Sequence, residues 1–140
     1  MQTAKQLFLE YLTSFPSPDK AAALFAPDGA LEMPYLASIN ISTRAEGPKE
    51  IEKFISTLMT MLPDLKFSNP IIRMENDSQV FAEYEVHTTA THTNRPFNQL
   101  FFGWLTSDEN GKIKILREAW NTIEAAKALL RDGIDDIPKF

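Results

Sequence analysis

Two stretches of the chain carry residue types that can move protons. In "VFAEYEVHTTATH", residues 80–92, Glu83, Glu85 and His87 alternate with Val80, Ala82, Tyr84 and Val86. A period of two is that of a half-buried strand, so one set faces the interior and the other does not. Turned to water, three titratable groups form an ordinary solvated surface. Turned to a cavity, they line a pocket. In "KIKILREAWN", residues 112–121, Leu116, Glu118 and Trp120 share one side, while Ile113, Ile115, Arg117 and Ala119 share the other.

Other chemistries are poorly served. Successive same-face residues of a strand lie about 7 Å apart, two rises of about 3.3 Å. Glu83, Glu85 and His87 therefore cannot all reach one ion at about 2 Å. His92 has the opposite parity, and no metal site is expected. The chain has no cysteine, which excludes disulfides, thiolate catalysis and zinc–thiolate centres. No glycine-rich phosphate loop and no Ser-His-Asp order stand out, and no cofactor is expected.

The elements that position these residues change character at Pro63. Before it, Ala4, Leu7, Phe8, Tyr11, Leu12 and Phe15 recur at helical spacing, so residues 3–14 read as an amphipathic helix that Pro16 stops. Ser17 and Pro18 open a second helix, as N-cap and first helical residue. Asp28-Gly29 marks a turn, and "ALEMPYLASINI" reads as a short strand leading into a loop. "GPKEIEKFISTLMTMLP" is a third helix, with Ile51, Phe54, Ile55, Leu58 and Leu62 on one stripe. After Pro63, "LKFSNPIIRME", "QVFAEYEVHTTAT", "PFNQLFFGWLT" and "KIKILREAWN" read as strands joined by hairpin-type breaks. Residues 122–131 close with a short helix. Helices first and a meander afterwards imply an α+β domain over residues 1–140, with an antiparallel sheet covered by helices on one face and a conical cavity between.

The strand at 96–106 splits into Asn98, Leu100, Phe102 and Trp104 against Gln99, Phe101, Gly103 and Leu105. Both faces are rich in apolar residues, so a second copy is expected over the face the helices leave bare. A net charge of −5 with scattered signs argues against nucleic acid and against an anionic membrane. "MQTAKQLFLEYLTSF" lacks the apolar core of a signal peptide, and no apolar run approaches the roughly 20 residues of a span. A cytoplasmic protein is the expectation.

The order of these motifs resembles the NTF2-like, or cystatin-like, α+β cone over nearly the whole chain. "LFAPDGALEMP", "EGPKEIEKFI" and "RPFNQLFFGWLTSDENGKIKILREAWN" resemble its SnoaL-like branch. The acidic–X–histidine strand and the Arg-Glu ending of the phenazine-biosynthesis A/B proteins are similar to Glu85-Val86-His87 and Arg117-Glu118-Ala119-Trp120-Asn121. This resemblance implies that Glu118 is the acid–base residue and points into the cone. It also sends Glu83, Glu85 and His87 inward and makes the Val80-to-Val86 side a dimer face. The ketosteroid isomerase pattern departs: Met33 stands at the base position and Phe102 near the protonated-aspartate position, and Tyr11 is out of register. The sheet aspartate of the polyketide cyclases has no match either.

The expected site follows. Leu116, Trp120, Phe102 and Trp104 would wall Glu118, and desolvation would raise its pKa towards neutrality. His87 would partner it as base or orienting group. Asn98 and Tyr35 are the expected substrate contacts, with Glu83 and Glu85 on the same wall. The implied activity is a cofactor-independent isomerase, cyclase or dehydratase acting on a small hydrophobic molecule of aromatic or polyketide type. The competing readings are a small-molecule-binding module without turnover, and a dimerisation domain of the same fold.

Overall fold

The computed structural model describes residues 1–137. Helix α1 (Ala4–Ser14) opens with a capping box: the Gln6 N–H donates to Thr3 Oγ1 and the Thr3 N–H donates to Gln6 Oε1. Its buried stripe is Ala4, Leu7, Phe8, Tyr11 and Leu12, as the spacing predicts. Helix α2 (Pro18–Ala22) is a single turn, and α3 (Gly47–Met61) presents Ile51, Ile55 and Leu58 to the core. Helix α4 (Thr122–Leu129) is capped by the Asn121 side chain, which accepts from the Glu124 N–H.

Six strands form one sheet: β1 (Phe25–Glu32), β2 (Arg44–Glu46), β3 (Phe67–Asn76), β4 (Gln79–Thr89), β5 (Pro96–Ser107) and β6 (Ile113–Ala119). Their order is β2-β1-β6-β5-β4-β3. The β1–β6 pair is parallel and every other neighbour is antiparallel. Helix α1 packs on β3, β4 and β5, α3 on β1, and α4 on β5, so the helices share one face. This is the mixed, mainly antiparallel α+β cone of the NTF2-like class.

One local expectation is corrected, and two short elements go beyond the sequence pattern. Asp28-Gly29 does not end a segment but lies inside β1, where the pairing with β6 slips between Phe25 and Ala30. A Cβ on Gly29 would stand 2.6 Å from the Ile113 carbonyl oxygen, so the bulge brings two backbones closer than a side chain permits. In the loop expected after this strand, residues Pro34–Ile39 wind into a 3-10 helix. The three-residue β2 has too few positions to show an alternation, and the sequence pattern misses it.

Candidate functional site

Glu118 lies on the inner face of β6, between Leu116 and Trp120, and is 4% exposed. The face follows from register. Glu118 pairs with Gly103 on β5, and Gly103 pairs with Ala82 on β4, all under the helices. The Tyr84 O–H donates to Glu118 Oε2. Apolar rings surround the pair: Tyr84 stacks on Phe101 at 5.2 Å and meets Phe8 edge-on at 5.1 Å, and Phe101 meets Trp120 at 5.3 Å. Burial pushes the Glu118 carboxyl up to about 7, against a smaller downward pull from Tyr84 and Trp120.

Two further donors stand near this carboxyl. The Tyr11 hydroxyl is fully buried and finds no hydrogen-bond partner among the described residues, and burial first, then the Glu118 charge, pushes its pKa up. The Trp120 Nε1–H is close enough to favour the charged carboxylate, yet it makes no hydrogen bond of ordinary geometry. Two orphaned donors beside one carboxyl are energetically costly, of order 1–3 kcal/mol each, unless an acceptor atom joins them.

A cavity of about 690 Å³ opens beside this cluster, between α3, α4, β2 and the loop before β2. Its walls include Leu36, Phe54, Leu58 and Leu129, and Trp120 forms part of them. That volume suits a drug-sized molecule. Glu118 itself does not line the cavity, whereas Trp120, two residues on, does. Gln99 secures the turn beyond Trp120, donating from Nε2 to the Asn121 carbonyl (2.8 Å) and accepting from the Asn121 N–H (2.9 Å).

The remaining expected site residues are placed elsewhere. Val80, Ala82, Tyr84 and Val86 face the helices, so Glu83, Glu85 and His87 project from the opposite, outer face. The hydrophobic set seeks the core, and the polar set is left outside. Glu83 pairs with Arg73 at 2.6 Å. His87 bridges Glu85 (3.0 Å) and Asn98 (2.9 Å) across β4 and β5. His87 is thus not a partner of Glu118. Phe102 and Trp104 pair with Ala119 and Arg117 and also lie outside, so they wall nothing around the carboxyl. Tyr35 is 63% exposed and does not line the cavity. Leu116 and Trp120 do flank Glu118. The Val80-to-Val86 side is core and not a dimer face. Sequence reasoning missed Tyr84 and Tyr11; both sit in stripes that read as plain core.

A family model described as "SnoaL-like domain" matches residues 9–115. A search of curated protein sequences finds no match. Among solved structures, a protein from Bacillus subtilis superposes with a TM-score of 0.79 at 22% identity, covering 89% of this chain and 91% of that one. A phenazine biosynthesis-related protein from Pseudomonas aeruginosa gives 0.76 at 17% identity, covering 98% and 87%. The BvnE pinacolase from Penicillium brevicompactum gives 0.71 at 12% identity, covering 89% and 87%. At these identities the likeness is one of fold.

Proposed function

The chain belongs to the SnoaL-like domain family, and on that premise we propose that it is an acid–base enzyme of the isomerase or cyclase class, acting without a cofactor on a small hydrophobic molecule of aromatic or polyketide type. The observation that carries this reading is the buried Glu118, poised at about 7 beside two unpartnered donors. A carboxyl with that pKa is present in both protonation states near neutral pH, which general acid–base catalysis needs. Glu118 would accept a proton from a carbon next to a substrate carbonyl. The electron pair would move to the carbonyl oxygen, where Tyr11 and Trp120 can donate hydrogen bonds. Glu118 would then return the proton to the same carbon or to a neighbouring one. Glu118 does not line the cavity, so the side chains between the cavity and the carboxyl must shift for the reactive end of the substrate to reach it. A pinacolase with the same fold is consistent with such chemistry in a cone of this shape.

Deuterium incorporation into 2-tetralone, a hydrophobic enolisable ketone, tests the proposal. The wild type is expected to accelerate exchange about a hundredfold or more over Glu118→Gln, with equal binding by both. Equal exchange rates, or a Glu118 carboxyl titrating near 4.5 by NMR, would overturn it.

One observation favours a second reading, a binding module without turnover: the carboxyl is buried and does not line the cavity. That reading expects ligand binding unchanged in Glu118→Gln and no exchange in either protein.

The outer sheet face exposes Leu100, Phe102 and Trp104 side by side, and we propose that a second copy covers it in a homodimer. A Phe102→Asp variant is expected to sediment as a monomer where the wild type is a dimer. A monomeric wild type overturns the assembly.

A further inference from the structure

The walls of the 690 Å³ cavity are not uniform, and their one uncommitted charge says what it would hold. Helix α3 contributes Glu50, Lys53, Phe54, Thr57, Leu58 and Met61, spaced i, i+3, i+4, i+7, i+8 and i+11, a single helix face. Its apolar members are buried (Leu58) or half-buried (Phe54, Met61), while Glu50, Lys53 and Thr57 are exposed and form a lip on the solvent side.

The charges on this lip differ in their engagements. Arg44 is held by two carboxylates, Glu32 and Glu46. Glu50 accepts from the Glu46 N–H at 2.8 Å, and so closes the first turn of α3. Lys53 makes no ion pair among the described residues. Thr57, one turn on, donates its hydroxyl to the Lys53 carbonyl at 2.9 Å and keeps an acceptor free. The protein is acidic overall, with a net charge of −5, yet a cation with no ion-pair partner among the described residues stands at this apolar cavity.

We propose that the ligand of this cavity is an amphiphilic carboxylate, whose apolar body lies against Phe54, Leu58 and Trp120 and whose anionic head meets Lys53. A lysine presents a compact point charge with three donors, which suits a single carboxylate. The distance along α3 from Lys53 to Met61 is about 12 Å, eight residues at about 1.5 Å. That span matches two linked aromatic rings and their acid group. Glu50 lies one turn before Lys53 and disfavours an acid head on its own side, which directs the head towards Lys53 and Thr57. The inference rests on the cavity being the ligand site and is independent of proton transfer by Glu118.

Biphenyl-4-carboxylate and its neutral twin, biphenyl-4-carboxamide, provide the test. The chain has two tryptophans, so quenching of Trp120 fluorescence in a Trp104→Phe background reports the cavity. The acid is expected to bind about fivefold more tightly than the amide at low salt. Lys53→Met should abolish that preference and leave amide binding unchanged, and Glu50→Gln should increase it. If both probes bind alike in the wild-type background, the carboxylate specificity falls while the cavity stands as a ligand site. If neither probe quenches Trp120, both fall, whatever the tetralone exchange shows.

Discussion

Tyr84 on β4 reaches Glu118 on β6 across the whole width of β5, because the residue in between is Gly103. All three face inward, with Tyr84 one same-face step out of register: Glu118 opposes Gly103, Gly103 opposes Ala82, and Tyr84, two residues on, opposes Phe101. A Cβ at position 103 would stand 2.7 Å from Tyr84 Cε1. The missing side chain is the space in which the phenol lies.

Gly103→Ala is therefore expected to displace the Tyr84 ring and break its hydrogen bond to Glu118. Overpacking of this kind costs about 1–3 kcal/mol of stability. The bond lowers the Glu118 pKa, so losing it should raise the value further above about 7. Tyr84→Phe removes the same bond without the clash and should raise the pKa likewise. Carboxyl-detected NMR titration measures both. An unchanged value in Tyr84→Phe would show that the bond does not act on the carboxyl.

Stability should carry the signature of Glu118. Its carboxyl titrates at about 7 in the fold, raised by burial from 4.5. Between those values the folded form holds a proton that the unfolded chain has lost. The contribution is thus fully present below 4.5 and is lost as pH rises through about 7, on the order of 3 kcal/mol in all. Glu118→Gln has no such dependence. Urea unfolding should therefore show the variant gaining on the wild type between pH 4.5 and pH 8. Parallel stability curves for the two proteins would contradict the shift.

His87 should titrate above its ordinary 6.5. Nε2 faces Glu85 Oε1 and Nδ1 faces Asn98 Oδ1, two acceptors, so both nitrogens are satisfied only when both carry hydrogen. The hydrogen bond to Glu85 is the larger cause and that to Asn98 the second. Whatever stability this contributes is present below 6.5 and is lost as pH rises through the raised folded value. Glu85→Gln should bring the His87 pKa back down, and Asn98→Leu should do so by less. The imidazole signals in a long-range nitrogen–proton NMR titration report it. A His87 value unmoved by Glu85→Gln would mean that the pair does not form in solution.

The helices and the four-stranded meander were legible from periodicity, because each has enough residues to show its period, whereas the inward side of β6 came from the family resemblance. The inner side of β4 was also legible: Val80, Ala82, Tyr84 and Val86 are its apolar set, and apolar sets go inward. The resemblance to an acidic–X–histidine strand outweighed that simple rule and turned Glu83, Glu85 and His87 the wrong way. On β5 both faces are rich in aromatic residues, so Phe102 and Trp104 could not be told from Phe101 and Leu105 without the pairing to β6. Tyr11 reads as one more residue in an apolar stripe. That its hydroxyl ends unpartnered near Glu118 depends on the distance between α1 and β6, which no local pattern contains.

The proton-handling group and the cavity come from different parts of the chain. Glu118, Gly103 and Tyr84 belong to the three adjacent strands β6, β5 and β4, whereas most cavity walls come from α3, α4 and residues 36–45. Substitutions in residues 36–43 can thus reshape what is admitted while the strands keep their register. Such a division makes the scaffold evolvable: substrate preference can drift without rebuilding the carboxyl's surroundings. For an engineer it marks residues 36–43 as the segment to randomise when seeking a new ligand, with the sheet left alone.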